Sequence, residues 1–129
     1  MRLLLDTHVF LWFISADLRL ANTARDAIED PANEVFLSIV SLWETIVKYQ
    51  LGKLSLPEPP EVYLPRQRVR HQIEKLDLDE ASVAQLARLP ALYRDPFDRM
   101  LVCQALQHRL TLVTGDEILH SYPVICLKA

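Results

Sequence analysis

The sequence has few cysteines and no long apolar segment, and both absences limit where the protein works. Only two cysteines occur in 129 residues. The spacing of Cys103 and Cys126 matches neither a metal site nor a redox motif, which predicts buried, reduced thiols. The longest nearly uninterrupted apolar run, residues 9–14, is far shorter than the roughly 20 residues of a membrane-spanning helix. The chain reaches Asp6 too soon for a signal peptide. These features predict a cytoplasmic protein with no membrane association.

An excess of positive charge is also missing. The chain has 14 Lys and Arg residues against 17 Asp and Glu residues, a net charge of −3. Because proteins that bind nucleic acid by bulk charge are basic, such binding would need local basic residues and a metal in an acidic pocket. The candidates for contact with RNA are the cluster Arg66, Arg68, Arg70 and His71, and separately Lys48, Lys53, Arg94 and Arg99.

Each candidate also has an explanation without RNA, as a side chain that is exposed to solvent or paired with a carboxylate. The i,i+4 pairs Arg94–Asp98 and Asp95–Arg99 are examples of such pairing.

Glycine is scarce as well, with two residues, and there is no internal repeat or low-complexity segment. The length suits one domain, residues 1–129. Apolar runs predict strands at 2–5, 35–37, 73–76, 110–114 and 122–127. Helical patterns cover 9–14, 22–29 with Asn22 as N-cap, 41–51 before Gly52, 61–71, 79–87 capped by Asp77 or Asp79, and 96–108 capped by Asp95. This alternation predicts a three-layer α/β/α fold with a mostly parallel central sheet.

Four acidic residues follow strands or begin helices. Asp6 ends the first apolar run, Glu44 lies near the start of the helix after the second strand, Asp98 opens the 96–108 helix, and Asp116 ends the run 110–116. In an open parallel sheet these places converge at the carboxyl edge of the strands. Crowded carboxylates repel one another unless a cation joins them, and ligand sets made only of oxygen favour Mg²⁺ or Mn²⁺. The pattern predicts a small metal-dependent enzyme.

Each acid also has a purely structural explanation. Asp6 would cap the first helix, and Glu44 would form a capping box with the serine three residues earlier and an ion pair with Lys48. Asp98 would complement a helix dipole, and Asp116 would be a turn residue. For a single acid the structural explanation is preferable. For all four it requires four coincidences, which favours a shared site.

The four acids lie in four longer motifs, whose order spans essentially the whole chain. The motifs are Leu3-Leu4-Leu5-Asp6-Thr7-His8, Ser38-Ile39-Val40-Ser41-Leu42-Trp43-Glu44, Asp95-Pro96-Phe97-Asp98-Arg99-Met100-Leu101 and Thr114-Gly115-Asp116. They resemble those of PIN-domain ribonucleases, and most closely the toxins of VapC-type toxin–antitoxin pairs. The Asp-Pro-Phe-Asp-Arg block is the most specific of them. Gly115 departs from the family, whose members often carry a longer polar residue there.

The resemblance implies a PIN-like fold and an endoribonuclease that hydrolyses RNA phosphodiesters with Mg²⁺ or Mn²⁺. Asp6, Glu44, Asp98 and Asp116 would form both the catalytic and the metal site. Asp6 and Asp98 would bind the ion, Asp116 would bind or orient it through water, and Glu44 would position or deprotonate the attacking water. The products would carry a 5′-phosphate and a 3′-hydroxyl. Asp95 is assigned only the cap, and none of the four histidines is assigned to metal.

The resemblance also implies a small antitoxin protein as partner, with a homodimer or a hetero-oligomer as the assembly. Residues 9–14 are more apolar than one buried helical stripe requires, so part of this segment is expected to face a partner, although a fully buried helix is the alternative. The candidates for that surface are Trp12, which lies within this segment, Trp43 and Tyr49.

Other functions fit less well. A phosphatase of the haloacid-dehalogenase type would need a second acid two residues after Asp6, and a phosphoreceiver would need a lysine at the end of a late strand. A catalytically silent domain would not need all four acids. A housekeeping PIN nuclease that processes RNA without an antitoxin stays open, although the small size favours the toxin.

Overall fold

A four-residue strand of the sequence motif Arg-Leu-Leu-Leu lies at the centre of the fold. The structure, a computed structural model, describes residues 1–91 and 95–129. Strands and helices alternate along it as predicted. The strands are β1 Arg2–Leu5, β2 Glu34–Ser38, β3 Glu74–Leu76, β4 Thr111–Thr114 and β5 Cys126–Lys128. The α-helices are α1 Thr7–Ile14, α2 Asn22–Glu29, α3 Ile39–Gln50, α4 Pro60–Arg70, α5 Glu80–Ala84 and α6 Pro96–His108, with 3₁₀ helices at Gln85–Arg88 and Glu117–Ser121.

The five strands form one sheet in the order β3-β2-β1-β4-β5. All four pairings are parallel, and β1 pairs with β2 on one side and with β4 on the other. The chain first builds the sheet outward from β1 through β2 and β3, and then returns to the other side of β1. The strand order therefore reverses between β1 and β4, which is where open α/β sheets bind ligands.

Both faces of β1 are buried, because its side chains alternate between two separate core clusters. Leu3 and Leu5 pack in one cluster with side chains of α1, α2 and α4, and Leu4 packs in the other with side chains of α6. All three leucines are fully buried. Layers of helix on each side of the sheet give the α/β/α architecture that the sequence predicted.

Predictions for the starts of two helices and one strand were wrong. Asn22 is the first residue of α2 and not its cap, since Ala21 holds that position without a side-chain hydrogen bond. Ser38 caps α3 by accepting from the Val40 N–H, so the predicted capping box to Glu44 does not form. The last strand starts later than predicted, at Cys126.

Other predicted details are confirmed. Asp79 and Asp95 are the N-caps of α5 and α6, and Gly52 follows α3 with a φ of 72°. Both cysteines are free, as predicted, and Cys103 is buried, but the prediction that Cys126 is buried was wrong, since it is only half-buried. Within the described ranges, no helix has the length and apolar character needed to cross a membrane.

Candidate active site

The predicted acids come from different elements at the carboxyl edge of the sheet. Asp6 follows β1 and caps α1, and Asp116 follows β4. Glu44 lies in α3 and Asp98 in the first turn of α6. Asp6, Glu44 and Asp98 are all buried. Asp6 is thus brought close to acids that lie 38 or more positions further along the chain, because β1 and β4 are neighbours and α3 packs against both α1 and α6.

The Asp6 carboxylate is fixed by several donors. The Thr7 N–H donates to Asp6 Oδ1 at 2.7 Å, and the Thr114 hydroxyl donates to Oδ2 at 2.7 Å. His8 Nδ1 lies 3.3 Å from the same Oδ2. Burial raises the pKa of Asp6, although His8, the Thr114 hydroxyl and the Thr7 N–H oppose this effect. Asp6 therefore caps α1, as its structural explanation predicted, and it is also a buried acid of the site.

Glu44 is held between two elements. The Thr7 hydroxyl donates to Glu44 Oε1 at 2.7 Å and lies 2.9 Å from the Ser41 hydroxyl. Lys48 forms the predicted i,i+4 ion pair with Glu44 Oε2. Burial alone would lower the pKa of Lys48, but the bond to Glu44 and the charges of Asp95 and Asp98 raise it overall. Lys48 thus supplies positive charge to the acidic site.

Asp98 is the most perturbed acid of the site. Its pKa is raised to about 8, first by burial and then by the charges of Asp6, Asp95, Glu44 and Asp116. Carboxylate oxygens of Glu44, Asp95 and Asp98 lie within 4.8 Å of one another. Oxygen donors at this spacing, with an acid whose pKa is raised by burial and by repulsion from its neighbours, fit a divalent cation.

The sequence analysis predicted only a capping role for Asp95, and the structure adds a second one. It caps α6 as predicted, since its Oδ1 accepts from the N–H groups of Phe97 and Asp98. The same carboxylate also faces Glu44 and Asp98 in the acidic cluster. The Asp-x-x-Asp spacing across a helix start was the available signal, because a cap and a first-turn residue lie on the same end of the helix.

Asp116, like Asp6, is not part of the cluster formed by Glu44, Asp95 and Asp98. It is half-buried, and its carboxylate accepts from the Ile118 N–H as the cap of the 3₁₀ helix Glu117–Ser121. Its backbone N–H donates to the Thr114 hydroxyl at 3.0 Å, which in turn donates to Asp6. Asp116 is thereby connected to Asp6 through Thr114, and its charge acts on Asp98.

A cleft of about 620 Å³ opens beside the acids. Acidic and basic groups line one part of it, and the outward face of α1 and the loop after α3 line another. Helix α1 is accordingly divided: Val9, Phe10 and Phe13 are in the core, whereas three other apolar residues face the cleft. These are Leu11, Trp12 and Ile14.

Trp43 and Tyr49 are the other residues predicted to face a partner. Trp43 is 57% exposed and packs edge-on against Phe97, with ring centroids 4.9 Å apart. Tyr49 is half-buried. Neither of these two side chains lines the cleft beside the acids.

The basic candidates are partly engaged with the protein itself. Arg66 pairs with Glu58, and Arg68 donates to the Ile73 carbonyl. Arg70 and His71 are exposed, and Lys53 is exposed and lines the cleft. No ion pair joins Asp95 to Arg99 in residues 95–129. Arg94 lies outside the described residues.

The fold agrees with comparisons to known proteins. The PIN domain family model matches residues 3–125. The chain therefore belongs to the PIN-domain family.

Relatives with more specific names were also found. The chain is 29% identical over 120 residues to ribonuclease VapC22 of Mycobacterium tuberculosis, covering 92% of this chain and 90% of that protein. Among solved structures, it is similar to VapBC2 from Rickettsia felis bound to a promoter DNA fragment, with a TM-score of 0.73, 19% identity and coverage of 99% and 98%. It is also similar to DNA-bound VapBC from Salmonella typhimurium, with a TM-score of 0.65, 24% identity and coverage of 99% and 98%. These structures confirm the predicted fold.

Proposed function

We propose that this protein is a cytoplasmic endoribonuclease that depends on Mg²⁺ or Mn²⁺ and is the toxin of a type II toxin–antitoxin pair. Its similarity to ribonuclease VapC22 along nine-tenths of both chains supports RNA as the substrate. The similarity to VapBC complexes along nearly the whole chain supports a small antitoxin as partner, and a single domain over residues 1–129. A homodimer or a hetero-oligomer with the antitoxin is the proposed assembly.

The main support for a metal-dependent enzyme is the raised pKa of Asp98. An aspartate whose pKa rises to about 8 in a buried position beside four other acids is costly to ionise without a cation. The neighbouring oxygens of Glu44 and Asp95 would complete a hard, oxygen-only ligand set. The donor chemistry of these residues fits Mg²⁺ or Mn²⁺.

The proposed roles follow from position. Asp6 and Asp98 would hold the ion, with Asp95 as an additional candidate ligand, and Asp116 would act through water. When bound, such an ion lowers the pKa of a coordinated water and neutralises charge on the scissile phosphate. Glu44, whose two oxygens are held by Thr7 and Lys48, would orient the attacking water and accept its proton.

The test is RNA cleavage by the purified chain, freed of any co-expressed partner. Structured and unstructured RNAs would be incubated with Mg²⁺, with Mn²⁺ or with EDTA. Asp98→Asn should abolish cleavage, whereas Asp26→Asn, the same charge change on the exposed surface of α2, should retain it. Cleavage in EDTA, or full activity of Asp98→Asn, would contradict the proposed mechanism.

The toxin assignment needs its own measurement. A small protein encoded next to this chain should bind it tightly and suppress cleavage. If cleavage of transfer or ribosomal RNA proceeds unchanged in the presence of every neighbouring gene product, the protein is instead a housekeeping nuclease. Metal binding with no cleavage of any RNA would favour the silent domain.

A further inference from the structure

His8 connects the ends of the two central strands through its imidazole ring. The Gly115 N–H, just after β4, donates to His8 Nε2 at 3.1 Å. On the other side of the ring, His8 Nδ1 lies 3.3 Å from Asp6 Oδ2, just after β1. A neutral imidazole has one donor and one acceptor nitrogen. Because Nε2 accepts from Gly115, the proton of the ring belongs on Nδ1, where it faces the Asp6 carboxylate.

The absence of a side chain at residue 115 makes this arrangement possible. A Cβ at Gly115 would lie 3.2 Å from His8 Nε2 and 3.4 Å from Trp12 Cζ3. The Trp12 ring also packs edge-on against the imidazole, with centroids 4.7 Å apart. His8 and Trp12 thus occupy the space that a side chain at 115 would fill, and they restrict the ring although it is about one-third exposed.

The donors around Asp6 leave it little freedom. A carboxylate offers about four lone-pair positions, two on each oxygen. Oδ2 faces the Thr114 hydroxyl and His8 Nδ1, and Oδ1 accepts from the Thr7 N–H. One position remains, and it belongs to Oδ1.

We propose that His8 is a positioning residue, which holds Asp6 through its Nδ1–H so that Oδ1 alone is presented to a divalent cation. This inference rests on the proposed function, because it assumes that Asp6 is a metal ligand. His8 itself does not bind the ion. Its ring sets the orientation of a ligand, in the way that outer groups orient ligands in other metal sites.

The first test requires neither metal nor RNA. ¹⁵N-histidine-labelled protein in EDTA, at about pH 8 where imidazoles are ordinarily neutral, would be examined by long-range ¹H–¹⁵N correlation NMR. The signals missing from His8→Gln identify His8. We expect a protonated Nδ1 and an unprotonated, hydrogen-bonded Nε2. A proton on Nε2 would overturn the inference.

The second test measures Mn²⁺ affinity by calorimetry without any turnover. His8→Ala should bind Mn²⁺ about 10- to 100-fold more weakly than the parent, the usual loss when a ligand-orienting group is removed. His8→Asn should restore part of this affinity, because its amide places a donor near the position of Nδ1. His120→Ala, an exposed histidine, is the matched control and should bind like the parent.

The outcomes separate this inference from the proposed function. Equal Mn²⁺ affinity of His8→Ala and the parent would overturn the role of His8, whatever the RNA assay shows. Weakened binding with rescue by asparagine, in a parent that cleaves no RNA, would support the role of His8 and contradict the ribonuclease. A parent that takes up no Mn²⁺ would overturn both.

Discussion

The Thr7 hydroxyl donates a 2.7 Å hydrogen bond to Glu44 Oε1, although the two residues are 37 positions apart. Both side chains are buried, so the bond exists in a region of low dielectric, where bonds to charged groups are strong. It ties the start of α1 to the middle of α3. The acids of the site therefore depend on a neutral neighbour for their placement as well as on one another.

This bond can be tested with an isosteric change. Thr7→Val should lower the free energy of unfolding by about 1–3 kcal/mol, because the Glu44 carboxylate loses a buried donor. Thr7→Ser keeps the hydroxyl and should cost only about 1 kcal/mol for the lost methyl group. Urea denaturation in EDTA would compare the two. A valine variant as stable as the parent would show that the bond contributes nothing.

Asp98 makes the stability of the metal-free protein depend on pH. Its pKa is about 8 in the folded state but about 3.9 in an unfolded chain. Between these values the folded state binds more protons, so the free energy of unfolding falls as pH rises. The raised pKa of Asp6 acts in the same direction. In EDTA, Tm should therefore decrease as the pH is raised from about 5 to about 8. In a chain of this size, each kcal/mol of lost stability lowers Tm by ~3–5 °C.

Asp98→Asn is the matched variant for that prediction. It removes the titrating group, so the decrease in Tm between the two pH values should become smaller, and the variant should be more stable than the parent at the higher pH. Differential scanning calorimetry in EDTA measures both. The same slope in parent and variant would contradict the assignment of the pH dependence to Asp98.

Lys48→Met separates stability from metal affinity. The change keeps the aliphatic stem but removes the partner of Glu44, so the metal-free protein should lose about 1–2 kcal/mol. This is less than for a fully buried pair, because the Lys48 side chain is about half exposed. The site then carries more negative charge, and Mn²⁺ should bind several-fold more tightly. Lys75→Met, which removes an exposed pair with Asp77, is the control. Weaker Mn²⁺ binding by a folded Lys48→Met would refute the prediction.

Gly115→Ala should disturb the site by crowding. The added Cβ would lie 3.2 Å from His8 Nε2, and its neighbour Trp12 leaves little space for the imidazole to move. We expect a loss of about 1 kcal/mol in stability, typical of mild overpacking, and weaker Mn²⁺ binding. Since the backbone at this glycine has no left-handed φ, strain of that kind does not contribute. Calorimetry that finds unchanged Mn²⁺ affinity would show that the ring is not held there.

Much of the fold follows from local sequence patterns. The three consecutive leucines of β1 predict a strand buried on both faces, and such strands belong to parallel sheets covered by helices. Asp79 and Asp95 cap helices as short-range rules predict. Asp6 and Asp116 could be located at strand ends, and Glu44 and Asp98 in the helices that follow, because hydrophobic runs and cap residues mark these boundaries.

What the sequence by itself determined is the order of the elements, the burial of the central strands and the edge at which the acids lie, because these depend on residues close together in the chain. Only the tertiary structure decided the strand order with β1 at the centre, the approach of Asp95 to Glu44, and the contacts that Thr7 and His8 make. Those contacts join residues dozens of positions apart. They depend on how helices pack across the sheet, and hydrogen-bond donors and acceptors carry no periodic signal that reveals distant partners.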